Sequence, residues 1–182
     1  MRRALLIGLC ALPATACATT HHKTLPPPAK PSALSRAEAT HEYPSPSPPA
    51  ETATRAASTA ERAVRAFATA YINWTAQTVA ADMRSLAAHS VGQARSAMAL
   101  AAGETADDYE LARGGIANHG TVEAVAPRPG QRDQYVVVTL ESTSATNTTA
   151  YQGLRPAWHV ALATVTEQAA GQWVVSAWQP EN

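Results

Sequence analysis

Residues 157–180 read AWHVALATVTEQAAGQWVVSAWQP, and the fold turns on them. Two runs rich in Val, Thr and Trp, AWHVALATVTEQ and QWVVSAWQP, flank the turn segment EQAAGQ, which predicts a hairpin of two strands. Trp173 and Trp178 lie five residues apart, so a regular strand sends them to opposite faces. Their companions Ala161, Ala163, Val165, Val174 and Ala177 are apolar as well. Both faces of the hairpin therefore read as partly dry, where a sheet covered on one side shows cleaner alternation. Either the second face meets another subunit or protein, or small residues make it merely permissive.

Working towards the N-terminus, GTVEAVAP (120–127) and QYVVVTLEST (134–143) have the same strand character, and PRPGQRD joins them as a hairpin. The polar segment SATNTTAYQGLRP (144–156) is long enough to cross from one sheet edge to another position. Before residue 116 the apolar period changes from 2 to 3.6. Ala60, Val64, Phe67, Tyr71, Trp74 and Thr78 form one stripe, which Ser58 and Glu61 open as a capping box. Met83, Leu86 and Ala87 mark a second helix, with Gly92 near the next junction. Val91, Ala94, Ala97, Met98 and Ala101 mark a third, with Gly103 as its expected left-handed end. Thr105 is expected to cap a last turn that Gly114-Gly115 terminates. Helices followed by an antiparallel sheet predict an α+β domain, the helices packed on one sheet face.

The first fifty residues are of another kind. Arg2 and Arg3, the apolar run Ala4–Leu12 and the small residues after Pro13 have the order of a secretory signal peptide over residues 1–16. The run is about half the length a bilayer-spanning helix needs. ATAC (14–17) resembles a bacterial lipobox, which would make Cys17 a lipid-bearing first residue; Ala14-Thr15-Ala16 also reads as an A-x-A site that releases an unanchored protein. With only Cys10 and Cys17 in the chain, and Cys10 inside the signal, no internal disulfide is expected. LPPPAKP and YPSPSPPA place a proline-rich linker over residues 17–56, whose proline-bearing part, Ala18 to about Ala50, reaches at most about 100 Å. His21-His22 within it reads as solvated linker rather than a metal site. The domain then spans residues 57–182. The formal net charge is zero, and both lysines, Lys23 and Lys30, fall in the linker. A slightly acidic domain carrying Arg alone disfavours nucleic acid as a ligand.

A helix bearing AFATAYINW, two shorter helices and four strands ending in WVVSAW are similar to the NTF2-like (SnoaL-like) superfamily, over about Ala57–Gln179. That resemblance implies a cone, a curved sheet wrapping the first helix around a pocket at its open end. Enzymes of the superfamily, ketosteroid isomerases and polyketide cyclases among them, hold an ionisable base in that pocket. The candidate pocket residues here are Tyr71, Trp74, Asp82 and His159, with His89 a further candidate; none aligns by motif, so no catalytic role carries over. Each also has a plain reading. Tyr71 belongs to the apolar stripe, Asp82 favours a helix N-terminus and His89 a C-terminus. His159 faces away from Trp158 and Val160, as a surface imidazole does. No metal-ligand spacing and no phosphate-binding glycine loop is present, so neither metal nor cofactor is expected. The expectation is an exported cell-envelope lipoprotein, lipid-anchored on the extracytoplasmic side. Its non-enzymatic interaction domain resembles in layout the accessory proteins of conjugative and secretion assemblies. The alternatives are a secreted soluble form, and a small-molecule binder or isomerase- or dehydratase-like protein using the cone pocket.

Overall fold

The structure, a computed structural model, describes residues 49–149 and 154–181. The signal segment, Cys17, the histidine pair and the linker up to residue 48 lie outside the described residues. The elements run α1 (Ala60–Ile72), β1 (Trp74–Thr75), α2 (Val79–Ala88), α3 (Gly92–Thr105), α4 (Tyr109–Gly114), β2 (Ile116–Pro127), β3 (Gln134–Ala145), β4 (Ala157–Ala169) and β5 (Gln172–Glu181). The five strands pair antiparallel in sequence order. β4 therefore lies directly beside β3, and the chain does not move to another position in the sheet between them. The sheet curls into a half-barrel, and α1 touches all four long strands. The fold is α+β, as the change of period predicts.

Several ends differ from the sequence reading. The cap of α1 is Thr59, whose hydroxyl accepts from the Arg62 amide, while Ser58 Oγ accepts from the Arg62 guanidinium. Both hydroxyls can cap by composition, and the extended backbone of Thr59 decides. The helix stops at Ile72, so Trp74 leaves the stripe and pairs with Asn118 as part of β1. Gly103 sits inside α3, and the positive φ falls instead on Gly92, where that helix starts against β5. The last short helix is capped by Asp108, which accepts from the amides of Glu110 and Leu111; Thr105 Oγ1 bonds back to Ala101 O. Gly115 ends that helix in the left-handed conformation, as expected of the glycine pair.

Two bulges reset which side chains face the helices. On β2, Val122 pairs with Thr139 and Ala124 with Val138, leaving Glu123 over. Val122 and Val125, three apart, consequently both pack towards the core. On β5, Val175 pairs with Val165 and Ala177 with Thr164, leaving Ser176 over. The extra residue flips the alternation, so Trp173, Val175 and Trp178 share the helix-facing side. The expectation of opposite faces for the two tryptophans assumed a regular strand and is corrected by the bulge.

The core between sheet and helices holds Val64, Phe67 and Ala68 of α1, Met83 and Leu86 of α2, and Met98 of α3. From the sheet come Val137, Ala161, Ala163, Val165, Val175 and Trp178. Phe67 and Tyr71 each lie 5.3 Å from the Trp178 ring, tilted rather than face to face. Such pairs add about 0.5–1.5 kcal/mol to what their buried area contributes.

Both sheet edges are occupied. Along β5, Ala57 exchanges two backbone hydrogen bonds with Trp173, Val91 N–H bonds Val175 O, and Gln93 Oε1 accepts from the Trp178 amide. Ala57 ends a strap over residues 51–57 that lies on the domain. Thr54 bonds Ala88 O, Glu51 Oε2 accepts from the Gly92 amide, and Arg95 reaches Thr52 O. Gln168 holds the strap from below, through Ala53 N–H and Glu51 O. Residues 51–56 are thus part of the folded body, although proline-rich composition next to them reads as linker. Along β2, β1 covers Ala117 and Asn118, the Asn73 amide pairs both backbone groups of Gly120, and Arg65 caps Val122 O. Unpaired edges are templates for unwanted strand addition, and here side chains and short segments close them.

Candidate functional site

The concave face changes character along its length. Its rows can be followed across the register: Val125, Val137 and Ala161 make one apolar row, and Tyr135, Ala163 and Trp178 another. Towards the other end the inward positions become Asn118, Thr139, Glu141, Thr143 and His159. Of these, Asn118, Glu141, Thr143 and His159, with Arg155 and the end of α1, line a cleft of about 510 Å³. It is a cleft at the rim because Phe67, Met83, Met98 and Trp178 fill the interior behind it.

Asn118 is buried and organises the cleft. Its Nδ2 donates to Ile72 O and to Glu141 Oε2, each at 2.8 Å, tying the end of α1 to the sheet. Thr139 Oγ1 donates to Glu141 Oε1 at 2.6 Å, and Thr143 Oγ1 to Asn118 Oδ1 at 3.2 Å. Both carboxylate oxygens of Glu141 are therefore held, and the charge faces the cleft in a fixed orientation. Burial raises the pKa of the Tyr71 phenol above its ordinary value of 10.0. The indole of Trp178 pulls against that rise and the Glu141 charge adds to it. Among the described residues the Trp178 N–H has no hydrogen-bond partner and is buried in the core. Tyr71 thus presents a neutral hydroxyl, able to donate, beside a fixed carboxylate.

Of the sequence candidates, Tyr71, Trp74 and His159 meet in this cleft. His159 stands opposite Thr139 on the inward face, away from Trp158 as the alternation predicts. Asp82 does not join them; it sits in the first turn of α2, the position its plain reading gives it. His89 is the C-cap of α2, with Nδ1 3.4 Å from Ser85 Oγ, and lines a different cavity between α1, α2 and β5. Glu141 and Asn118 were not singled out by sequence reasoning. The signal was present: positions 137, 139, 141 and 143 share one strand face, and that face turns from Val to Thr-Glu-Thr.

The convex face is the opposite of the cleft in chemistry. Ala126, Val136 and Leu162 form one row, Ala124, Val138 and Val160 a second, Leu140 and Trp158 a third. Trp158 is 63% exposed and Val160 39%. The outward positions of β3 and β4 between Val136 and Leu162 carry no charge. Among the described residues no helix is long and apolar enough to cross a membrane, and no three potential ligands cluster to hold a metal. A comparison with known family models finds no match to this chain, and a comparison with curated proteins finds none either.

Proposed function

We propose that the chain is an exported cell-envelope lipoprotein whose α+β domain is an NTF2-like cone acting by protein–protein contact. In this reading residues 1–16 are removed, Cys17 carries the lipid, and the proline-rich segment spaces the domain from the membrane. The partner, a second copy or another envelope protein such as a component of a secretion or conjugation assembly, docks on the convex sheet face. One observation supports the docking most: an apolar surface on the outward side of β3 and β4 with a largely exposed tryptophan in its last row. Contiguous apolar patches of this kind are uncommon on monomers, and Trp is enriched in interface cores. The test is a photo-crosslinking amino acid at position 160 in intact cells. Discrete protein adducts that disappear with Leu140→Arg are expected; a chain that gives none, at normal abundance, refutes the docking surface. Cys17→Ser should move the protein from the membrane to the soluble fraction, and retention on the membrane would refute the anchor.

A second reading, a binder of small molecules at the cone mouth, has its own support. Tyr71, Trp74 and His159 converge on the cleft, with Glu141 held at its wall. In this reading Glu141 and the Tyr71 hydroxyl orient a ligand that carries both a donor and an acceptor. Loss of ligand-induced change in Trp74 emission on Glu141→Gln would separate it from the first.

A further inference from the structure

We infer that the cavity between α1, α2 and β5 is a binding site for an anionic amphiphile, a short aliphatic chain or small ring bearing one carboxylate. The cavity is about 370 Å³, within the range of about 300–1,000 Å³ of small-ligand pockets. It shares no residue with the cleft or with the convex face rows.

Its floor is Phe67, Leu86 and Val175, all buried core residues. One wall is a face of α1 reduced to alanine at positions 63, 66 and 70, and the strap crosses the top at Arg55–Ala57. Ala66 and Ala70 are exposed although they border apolar ground. The strap passes over with methyl groups that leave the space beneath open. Water in such a hollow finds few polar partners, so an apolar occupant gains by displacing it.

The head group follows from the polar rim. Arg55, Ser85 and His89 are the polar side chains at the cavity apart from the Trp173 indole, and no carboxylate lines it. Among the described residues Arg55 makes neither a hydrogen bond nor an ion pair, and His89 uses only Nδ1, towards Ser85. A guanidinium without a partner among the described residues, lining the same cavity as an imidazole, complements a carboxylate, which it can bind through two parallel hydrogen bonds. The same rim disfavours an ammonium head.

Decanoate, kept below its micelle-forming range, is the probe, with decanol and decylamine as comparators. Calorimetry on the full chain should show saturable one-to-one binding of decanoate. Trp173, at the cavity mouth, should report it by a change in emission that Trp173→Phe removes. Decanol should bind roughly three- to tenfold more weakly, and Arg55→Gln should bring decanoate down to the level of decanol. Ala66→Leu fills the cavity from an exposed position and should abolish binding with the circular dichroism unchanged; Ala70→Leu serves the same purpose should that variant misfold. Absence of saturable binding, affinity for decylamine equal to that for decanoate, or binding that survives both alanine substitutions in folded protein would each overturn the assignment.

Discussion

Asn118 carries more of the fold than any other polar residue near the cleft. It is buried, and its amide bonds link the C-terminal carbonyl of α1, the Glu141 carboxylate and Thr143. Asn118→Leu leaves a held carboxylate and a carbonyl without their donor. A loss of about 2–4 kcal/mol is expected in urea denaturation, against well under 1 kcal/mol for exposed Thr121→Ala. Gly120 is constrained by space rather than by φ: a Cβ there would come within 2.6 Å of Leu140 O and 3.1 Å of Ile72 Cδ1. Tyr71 makes a prediction in pH. Its folded pKa is raised above the unfolded value near 10. Its stabilising contribution is therefore complete below pH 10 and is lost as pH rises through the folded pKa. Denaturation midpoints measured from pH 8 to 11 should fall at the alkaline end, and Tyr71→Phe should flatten part of that fall. A wild-type profile identical to that of Tyr71→Phe would show that the phenol is not perturbed.

At the scale of elements, the bulge at Ser176 and the strap decide most. Deleting Ser176 leaves Trp173 and Trp178 four residues apart with their pairing to β4 unchanged, so a regular strand keeps both on the helix-facing side. Near-ultraviolet circular dichroism should keep its tertiary signal in that variant, whereas inserting a second residue beside Ser176 should lose it by turning one of the two tryptophans outward. The strap is tested by Ala57→Pro, which removes the N–H that bonds Trp173 O. About 1–3 kcal/mol of destabilisation is expected. Concentration-dependent association, read by light scattering, should accompany it as the β5 edge opens. Unchanged stability and a monodisperse solution would mean that Val91 and Gln93 protect the edge alone. These features were only half legible beforehand. The spacing of three between Val122 and Val125, and between Val175 and Trp178, is a bulge signature in strands of otherwise period two. The strap has no such mark, because ETATRAA is held by hydrogen bonds to partners more than thirty residues away, not by its own pattern.

For the whole molecule, the two sheet faces differ: one wraps the helices and ends in a polar cleft, and the other is largely apolar and, among the described residues, uncovered. Trp158→Lys should leave the thermal midpoint within a few degrees of wild type, because the side chain is already largely in water. It should nevertheless reduce any self-association seen in sedimentation, and an unaltered association would move the contact elsewhere. What composition and period determined unaided was the order of helices before strands, the antiparallel pairing within the β2–β3 and β4–β5 hairpins and the two-sided dryness of the latter. Those are local properties, set by residue spacing of 3.6 or 2 and by turn residues. Tertiary structure alone decided which apolar side faces the helices, because one bulged residue inverts a strand beyond it. It also decided that Asp82 stays apart while Glu141 joins Tyr71, since membership of a site depends on which rows the register sets side by side. The strap, too, was settled at that level, its backbone groups finding partners only after the sheet edge existed to receive them.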